Sequence, residues 1–345
     1  MGIESVRNGV AAMLVALVLA GCATAPPPQA PEPAPVAMPP EDAGPVVARN
    51  NEFAIVVARS GDTLASLAQR YLGDAGRAWW IGEFNNTSAI RAGQLVVIPL
   101  AARNPLGVQT GGYQTVPILC YHRFGTRNSK LNVTPAAFEQ QMDYLARNGY
   151  TVVSMKRLAR FLDGKEALPA KSVAITIDDG YRSSYEIAFP ILRKFGFPAT
   201  VFLYTDFVGA SDALTWAQMK DMMASGLIEI QPHSKSHSNL TLRLPGETDA
   251  RYRERIRREV DGPVAVLRDR LSEGSFTYAY PYGDVNEYVV ELLEKQSVSQ
   301  GVTVTPGGNP FYAYPYMLRR SMVFGNEDLD AFKAKLTTFV RTASR

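Results

Sequence analysis

The chain of 345 residues has only two cysteines, Cys22 and Cys120, and three histidines, His122, His233 and His237. Two thiols cannot supply the disulfide framework of a small secreted scaffold. Strong charge of either sign is missing too: 36 Lys and Arg against 33 Asp and Glu leave a formal net charge of +3. With no basic stripe interleaved with aromatics, nucleic acid is excluded as a partner. The apolar stretch from Val10 to Ala20 falls well short of the roughly 20 residues that a spanning helix needs. What remains is a globular composition, 46% apolar and 20% charged, long enough for one sizeable core and a small accessory domain.

What is there begins with Arg7 ahead of that short apolar stretch, the pattern of a secretory signal. It ends Leu19-Ala20-Gly21-Cys22, which resembles the bacterial lipoprotein box. The resemblance implies removal of residues 1–21 and lipidation of Cys22, which anchors the chain to a membrane. Ala23 stands where an aspartate would resemble an inner-membrane retention signal, so the expected location is the periplasmic side of the outer membrane. Cleavage after Ala23, Thr24 and Ala25 would instead give a soluble periplasmic protein. Lipidated Cys22 leaves Cys120 unpaired, and no structural disulfide is expected. Residues 22–50 are rich in Pro and Ala and read as a tether. At about 3.1 Å per residue such a chain reaches on the order of 80 Å, a useful distance between a membrane and a cell-wall polymer.

Residues 51–100 are periodic. Short β-rich runs at Phe53–Val57 and Gln94–Ile98 bracket two helical patterns. The first is capped at Asp62 or Thr63 and puts Leu64, Leu67, Ala68 and Tyr71 on one face. The second carries Trp79, Trp80, Ile81 and Phe84. This strand, helix, helix, strand order, with Gly61-Asp62-Thr63-Leu64 after the first strand and Ile90-Arg91-Ala92-Gly93-Gln94 leading into the last, resembles the lysin motif (LysM). The resemblance implies a βααβ domain that binds N-acetylglucosamine-containing glycans such as peptidoglycan or chitin. Its groove would lie between the loop holding Gly61, Asp62 and Thr63 and the loop from Asn86 to Ile90. Leu64, Trp80 and Ile98 read as core, because a domain this small needs its apolar side chains inside.

A linker, residues 101–113, leads to the larger domain, residues 114–345. Strand patterns at Val116–Cys120, Val152–Val153, Val173–Ile177, Ala199–Leu203, Ile228–Ile230, Thr277–Tyr280 and Gly301–Val304 alternate with helical patterns. The helices are expected at Pro135–Asn148, Ser183–Phe195, Trp216–Ser225, Asp249–Leu271 and Asn286–Lys295. Strand followed by helix, repeated, means an α/β fold with a parallel sheet, and this many repeats favours a barrel with its chemistry at the C-terminal strand ends.

Two of those ends carry polar clusters. Ala174–Ile177 is apolar on both faces and stops at Asp178-Asp179-Gly180. Neighbours on a regular strand point to opposite faces, but a turn at Gly180 lets both acids face the mouth. After Ile230, the stretch Gln231-Pro-His233-Ser234-Lys-Ser-His237 spaces two imidazoles four apart. That spacing puts both on one side of a helical turn, suited to one metal ion. Ser234 occupies the position where a zincin carries its glutamate, so a base must come from elsewhere, and Asp178 and Asp179 can supply a ligand and a base.

Together, Thr176-Ile-Asp-Asp-Gly180, His233-Ser-Lys-Ser-His237 and Phe276-Thr-Tyr-Ala-Tyr-Pro-Tyr-Gly283 resemble the polysaccharide deacetylase family, carbohydrate esterase family 4. The resemblance runs from about Val116 to Phe332. It implies a distorted (β/α)7 barrel in which Asp179, His233 and His237 hold a divalent metal, usually zinc, and Asp178 is the base. It also implies that the backbone N–H of Tyr282 helps hold an oxyanion. The substrate implied is an N-acetylated polysaccharide, either poly-N-acetylglucosamine-like or peptidoglycan, from which a hydrolase removes acetyl groups.

The departures are informative. Many members carry an arginine two residues before the motif's proline, where this chain has Ala279, so another group must orient Asp178; Arg319 or Arg320, the latter preferred, is the candidate. No histidine follows His237 to act as the usual late acid. The stretch Ile118-Leu-Cys-Tyr-His-Arg-Phe-Gly125 resembles the exopolysaccharide-modifying branch, whose active-site histidine comes early, and this makes His122 the expected proton donor. Cys120 reads as a small buried hydrophobe rather than a nucleophile paired with His122. A glycosidase would need its carboxyls about 5 Å or more apart across a sugar, which adjacent residues rarely provide. The rival from another class is a non-catalytic peptidoglycan-binding lipoprotein with a degenerate barrel.

Overall fold

The computed structural model describes residues 45–101, 104–126 and 129–342. The signal sequence, Cys22 and nearly all of the tether lie outside them. Among the described residues no helix is long and apolar enough to cross a membrane.

The first part of the chain forms β1 (Val46–Arg49), β2 (Phe53–Val57), α1 (Leu64–Leu72), α2 (Ala78–Phe84) and β3 (Leu95–Pro99), with an antiparallel sheet in the order β1-β2-β3. The last residues of the expected tether are therefore a strand: its Val-Val-Ala-Arg run pairs along β2. Thr63, not Asp62, caps α1, its side chain accepting from Ser66 N while the Ser66 hydroxyl accepts from Thr63 N. Val56, Leu67, Ile81, Val96 and Ile98 form the core. Leu64 and Trp80 are only half-buried, contrary to expectation, because each lines a cleft shared with the larger domain, Trp80 with Ala167 and Leu168 and Leu64 with Asn148, Gly149 and Lys171. A direct bond joins the two parts, Ala170 N donating to Glu83 Oε1 at 2.8 Å.

The larger part follows as β4 (Val116–Tyr121), α3 (Pro135–Arg147), α4 (Met155–Leu162), β5 (Ser172–Ile177), α5 (Phe189–Phe195), β6 (Ala199–Leu203), α6 (Trp216–Ala224), β7 (Ile228–Pro232), α7 (Asp249–Leu271), β8 (Thr277–Ala279), α8 (Glu287–Lys295), β9 (Gln300–Val302), β10 (Ser321–Met322) and α9 (Leu329–Lys333). Helix α4 was not expected. Ser154 caps it, and Met155, Leu158 and Phe161 recur at helical spacing on its buried side.

Strands β7, β6, β5, β4 and β10 lie side by side and parallel. Every residue of β4 and β5 is buried, as expected of a sheet covered on both faces. The ladder is not closed as a barrel. Strands β8 and β9 form a separate parallel pair, reached on one side by a bridge from Val302 to Leu318. On the other side the Gln231 side chain accepts from Phe276 N and Thr277 N, where a ladder would use backbone groups. The C-terminal ends of β4, β5, β7 and β8 nevertheless converge, and the small domain docks at the opposite end of β5, just before Ser172.

Candidate active site

Asp178 and Asp179 follow β5, and the turn between them and the next helix is sharp. Asp179 has φ 73° and Gly180 φ 76°, so the reversal begins one residue earlier than the glycine alone suggests. A Cβ on Gly180 would come within 2.7 Å of Leu203 Cβ. Only glycine fits there.

The two carboxylates lead different lives. Asp178 is buried and receives a bidentate Arg320, Nη1 to Oδ1 at 2.6 Å and Nη2 to Oδ2 at 2.7 Å. Arg320, also buried, is itself held by Thr303 O and Thr176 Oγ1. The thiol of Cys120 donates to Asp178 Oδ2 at 3.5 Å. Burial would raise the Asp178 carboxyl, but the Arg320 guanidinium outweighs it and holds the group well below the usual carboxylate range. Asp179 has no such partner, and burial pushes it up to about 6. Environments that drive neighbouring acids apart in this way divide their roles.

His233 and His237 complete the cluster, though not on a helical turn as their spacing suggested. They sit in an irregular loop after β7, with Ser234 at φ 77° and His237 at φ 61°. The loop is pinned from α7 by the buried Glu259, which accepts from Lys235 N, Ser236 N and Ser236 Oγ. Ser234 Oγ accepts from His237 N. Among the described residues, eight non-glycine residues have positive φ, and Asp179, Ser234, His237 and Tyr282 are four of them. Each costs roughly 1–3 kcal/mol and persists where its surroundings over-determine it.

The donor atoms fit a metal ion. Asp179 Oδ1 is buried with no hydrogen-bond partner, 3.3 Å from His237 Nε2 and 3.7 Å from His233 Nε2. His233 Nδ1 lies 2.8 Å from the Ala279 carbonyl. That bond assigns the proton to Nδ1 and leaves the Nε2 lone pair facing Asp179. Burial pushes His233 down to about 4 and lowers His237 as well, which favours the neutral imidazole that a metal ion binds. Ala279, where an arginine was missed, serves the site through its carbonyl.

His122 stands half-buried at the end of β4, its Nδ1 without a partner, and with Cys120 and Asp178 it forms a cluster whose donor atoms lie within 4.8 Å of one another. Burial raises the Cys120 thiol well above its ordinary value, which removes it as a nucleophile, but it is more than a filler because it touches Asp178. Tyr282 has φ 62° and a mostly exposed ring edge-on to His237 at 5.0 Å. Tyr204 flanks the other side of His237 at 5.3 Å.

The small domain's expected contacts are only partly free. Asp62 is spent on Arg59 N and Arg70 Nη2, and the Thr63 hydroxyl on the α1 cap. Gly61 and Asn86 are exposed and Ile90 half-buried. A groove of about 580 Å³ lies between Leu64 and Asn86–Ser88, and its far wall is Asn148, Gly149 and Lys171 of the larger domain. No sequence pattern signalled that shared wall.

The larger domain is similar to known proteins. A profile of the family described as polysaccharide deacetylase matches residues 165–301. The protein YxkH of Bacillus subtilis (strain 168), whose name assigns it to the polysaccharide deacetylases, is 32% identical over 219 residues, covering 64% of this chain and 75% of that one. The poly-beta-1,6-N-acetyl-D-glucosamine N-deacetylase of Escherichia coli (strain K12) is 28% identical over 211 residues, 51% of this chain and 31% of that one. The structure of the Streptococcus pyogenes deacetylase PplD in complex with acetate aligns with TM-score 0.58 and 26% identity, over 65% of this chain and 98% of that one. The chain belongs to the polysaccharide deacetylase family. It is a deacetylase, a hydrolase with an α/β catalytic domain.

Proposed function

We propose that this deacetylase removes acetyl groups from N-acetylglucosamine units of a cell-envelope or extracellular polysaccharide, with a poly-β-1,6-N-acetylglucosamine-like polymer favoured over peptidoglycan by the names of its relatives. The observation that carries the reading is Asp178, held ionised by Arg320 beside the Asp179, His233 and His237 donors. Asp179, His233 and His237 would hold a divalent ion, which would supply a Lewis acid for the acetamide and make water easier to deprotonate.

The chain's own groups carry the protons. Asp178 takes one from the attacking water as its oxygen bonds to the carbonyl carbon. The Tyr282 N–H stabilises the negative oxygen that results. His122 gives a proton to the nitrogen as the C–N bond breaks, leaving acetate and a glucosamine unit. Arg320 and Cys120 keep the Asp178 oxygens aimed. The alternative of a degenerate, glycan-binding domain is disfavoured because Arg320 replaces the arginine missing at Ala279, and His122 the missing late histidine.

Export, lipidation at Cys22, residence on the periplasmic side of the outer membrane and glycan binding by the LysM-like segment belong to the same reading and rest on sequence resemblance. Acetate release from purified poly-β-1,6-N-acetylglucosamine and from peptidoglycan tests it. Release from neither, by metal-loaded protein, would sink the enzymatic reading in favour of the binding one.

A further inference from the structure

A second cleft, of about 740 Å³, lies away from the acidic pair. Gly308 and Asn309 in its wall pair with Pro117 and Val116 at the entry end of β4, whereas His122 follows the exit end. Five or six residues of strand at about 3.3 Å each separate the two places by some 15–20 Å.

The cleft is bordered by Asn309-Pro-Phe-Tyr-Ala-Tyr-Pro-Tyr-Met317, in which four of the six residues from 311 to 316 are aromatic. Phe311 packs against the core, and the Tyr316 hydroxyl donates to Val298 O. Tyr312 and Tyr314, by contrast, are 58% and 56% exposed. Tyr113 stands edge-on to Tyr312 with centroids 5.3 Å apart. Solvent-facing rings grouped in this way mark an interaction site more often than chance exposure.

The frame is rigid. The Asn309 side chain donates to Val116 O and Arg319 O and accepts from Arg319 N. Gly308 lies so close on Thr115 that a Cβ there would meet its Oγ1 at 2.2 Å. Among the described residues the lining contains threonine hydroxyls and tyrosine rings, no carboxylate, and Arg319 as its charged side chain. Arg319 is exposed while its neighbour Arg320 is buried against Asp178, so the two leave the chain on opposite sides.

Aromatic faces with neutral hydroxyls suit an uncharged sugar chain, and a guanidinium disfavours an ammonium ion. We propose that this tyrosine cleft is a second binding site for the N-acetylated polysaccharide strand, retaining acetylated stretches and releasing stretches that have become cationic. The inference rests on the substrate class proposed above. Its occupant is the glycan; a site for a protein partner would leave both polymer KM and hexamer binding unchanged in the tyrosine variant.

The experiment uses the full chain. In Tyr312→Ala/Tyr314→Ala, KM for the acetylated polymer should rise about tenfold, equivalent to about 1.4 kcal/mol, with kcat unchanged. Turnover of an N-acetylglucosamine disaccharide, too short to span both places, should stay within twofold and shows that the variant is folded. Calorimetric titration in an Asp178→Asn background should show N-acetylglucosamine hexamer binding weakened by the tyrosine changes. Glucosamine hexamer should bind less tightly than the acetylated one, and Arg319→Ala should narrow that gap. Polymer KM and hexamer binding both unchanged in the double variant would overturn the cleft. Tyrosine-dependent hexamer binding by a chain that releases no acetate would instead overturn the proposed function and leave the cleft standing.

Discussion

Arg320 and Asp178 stand 142 positions apart in sequence and meet in the core as a bidentate pair, at 2.6 and 2.7 Å. The pair shows what holds Asp178, the proposed base, where Ala279 stands in place of the expected arginine. A guanidinium fork fixes both carboxylate oxygens in one plane, which fixes the direction from which Asp178 meets water.

Arg320→Ala should therefore cost stability as well as rate. It leaves a buried charge unpaired, a loss of about 3–5 kcal/mol, visible as a lower urea midpoint. Arg320→Lys keeps the charge but not the fork. It should stay folded and lose at least about tenfold in kcat. Equal activity of the Lys variant and the parent would mean that charge alone, not orientation, is what Arg320 provides.

Three donors aimed at one point predict about one divalent ion per chain. His233→Ala and His237→Ala should each lower metal content, read by elemental analysis, in parallel with acetate release. Full activity in a demonstrably metal-free sample would remove the proposed role of all three donors.

Asp179 sets a pH dependence of known sign in the metal-free chain. Its folded value, raised to about 6, means that between about pH 4 and 6 the folded state holds more proton than the unfolded one, so this residue's contribution to stability falls as pH rises. By pH 7 its ionised form costs on the order of 1–3 kcal/mol. His233, lowered to about 4, acts oppositely, its contribution growing from pH 4 to 6.5, and is common to parent and variant. With chelator present, Asp179→Asn should unfold later than the parent at pH 7 and lose that advantage near pH 4.5. Saturating metal should reverse the order at pH 7. Identical denaturation curves at both pH values would show that Asp179 carries no such cost.

The sequence made some of this legible and hid the rest for physical reasons. Asp178 and Asp179 were visible because an apolar run ends in them, and His233 and His237 because of their spacing. Their loop conformation was not, since the left-handed Ser234 and His237 belong to a loop pinned by Glu259, more than twenty residues on. Glu259 itself hides in a helix crowded with charges, where an acid reads as solvent-facing. Only its phase, seven residues after Tyr252 and three after Ile256 on the buried side of α7, marks it as inward. Arg320 was visible through family resemblance alone. The strand arrangement was largely readable from alternation, but the break in the ladder at Gln231 depends on a side chain replacing backbone groups, which no periodicity encodes.

Glu259 is accordingly a positioning residue with its own test. Glu259→Gln keeps the shape but weakens the bonds to Lys235 N, Ser236 N and Ser236 Oγ. Metal affinity should fall about 10- to 100-fold, the range typical of groups that orient ligands, and excess metal should restore kcat. Unchanged affinity would show that the loop holds its form without this carboxylate.

His122 carries the last prediction. The departing nitrogen needs a proton, and of the three histidines two face Asp179 as the proposed metal donors. His122 is the remaining imidazole, at the end of β4 with Nδ1 unpartnered and with Cys120 and Asp178 in reach. Its place at the end of β4, with Asp178 in reach, favours a proton donor over a histidine used only for packing. General acid catalysis is worth about 10² to 10⁴ in rate. His122→Ala should lower kcat within that range while metal content and unfolding midpoint stay those of the parent. Cys120→Ser is the companion variant: its hydroxyl can still donate to Asp178, so it should remain active. Wild-type turnover of polymer by His122→Ala would assign the proton to water or to another side chain.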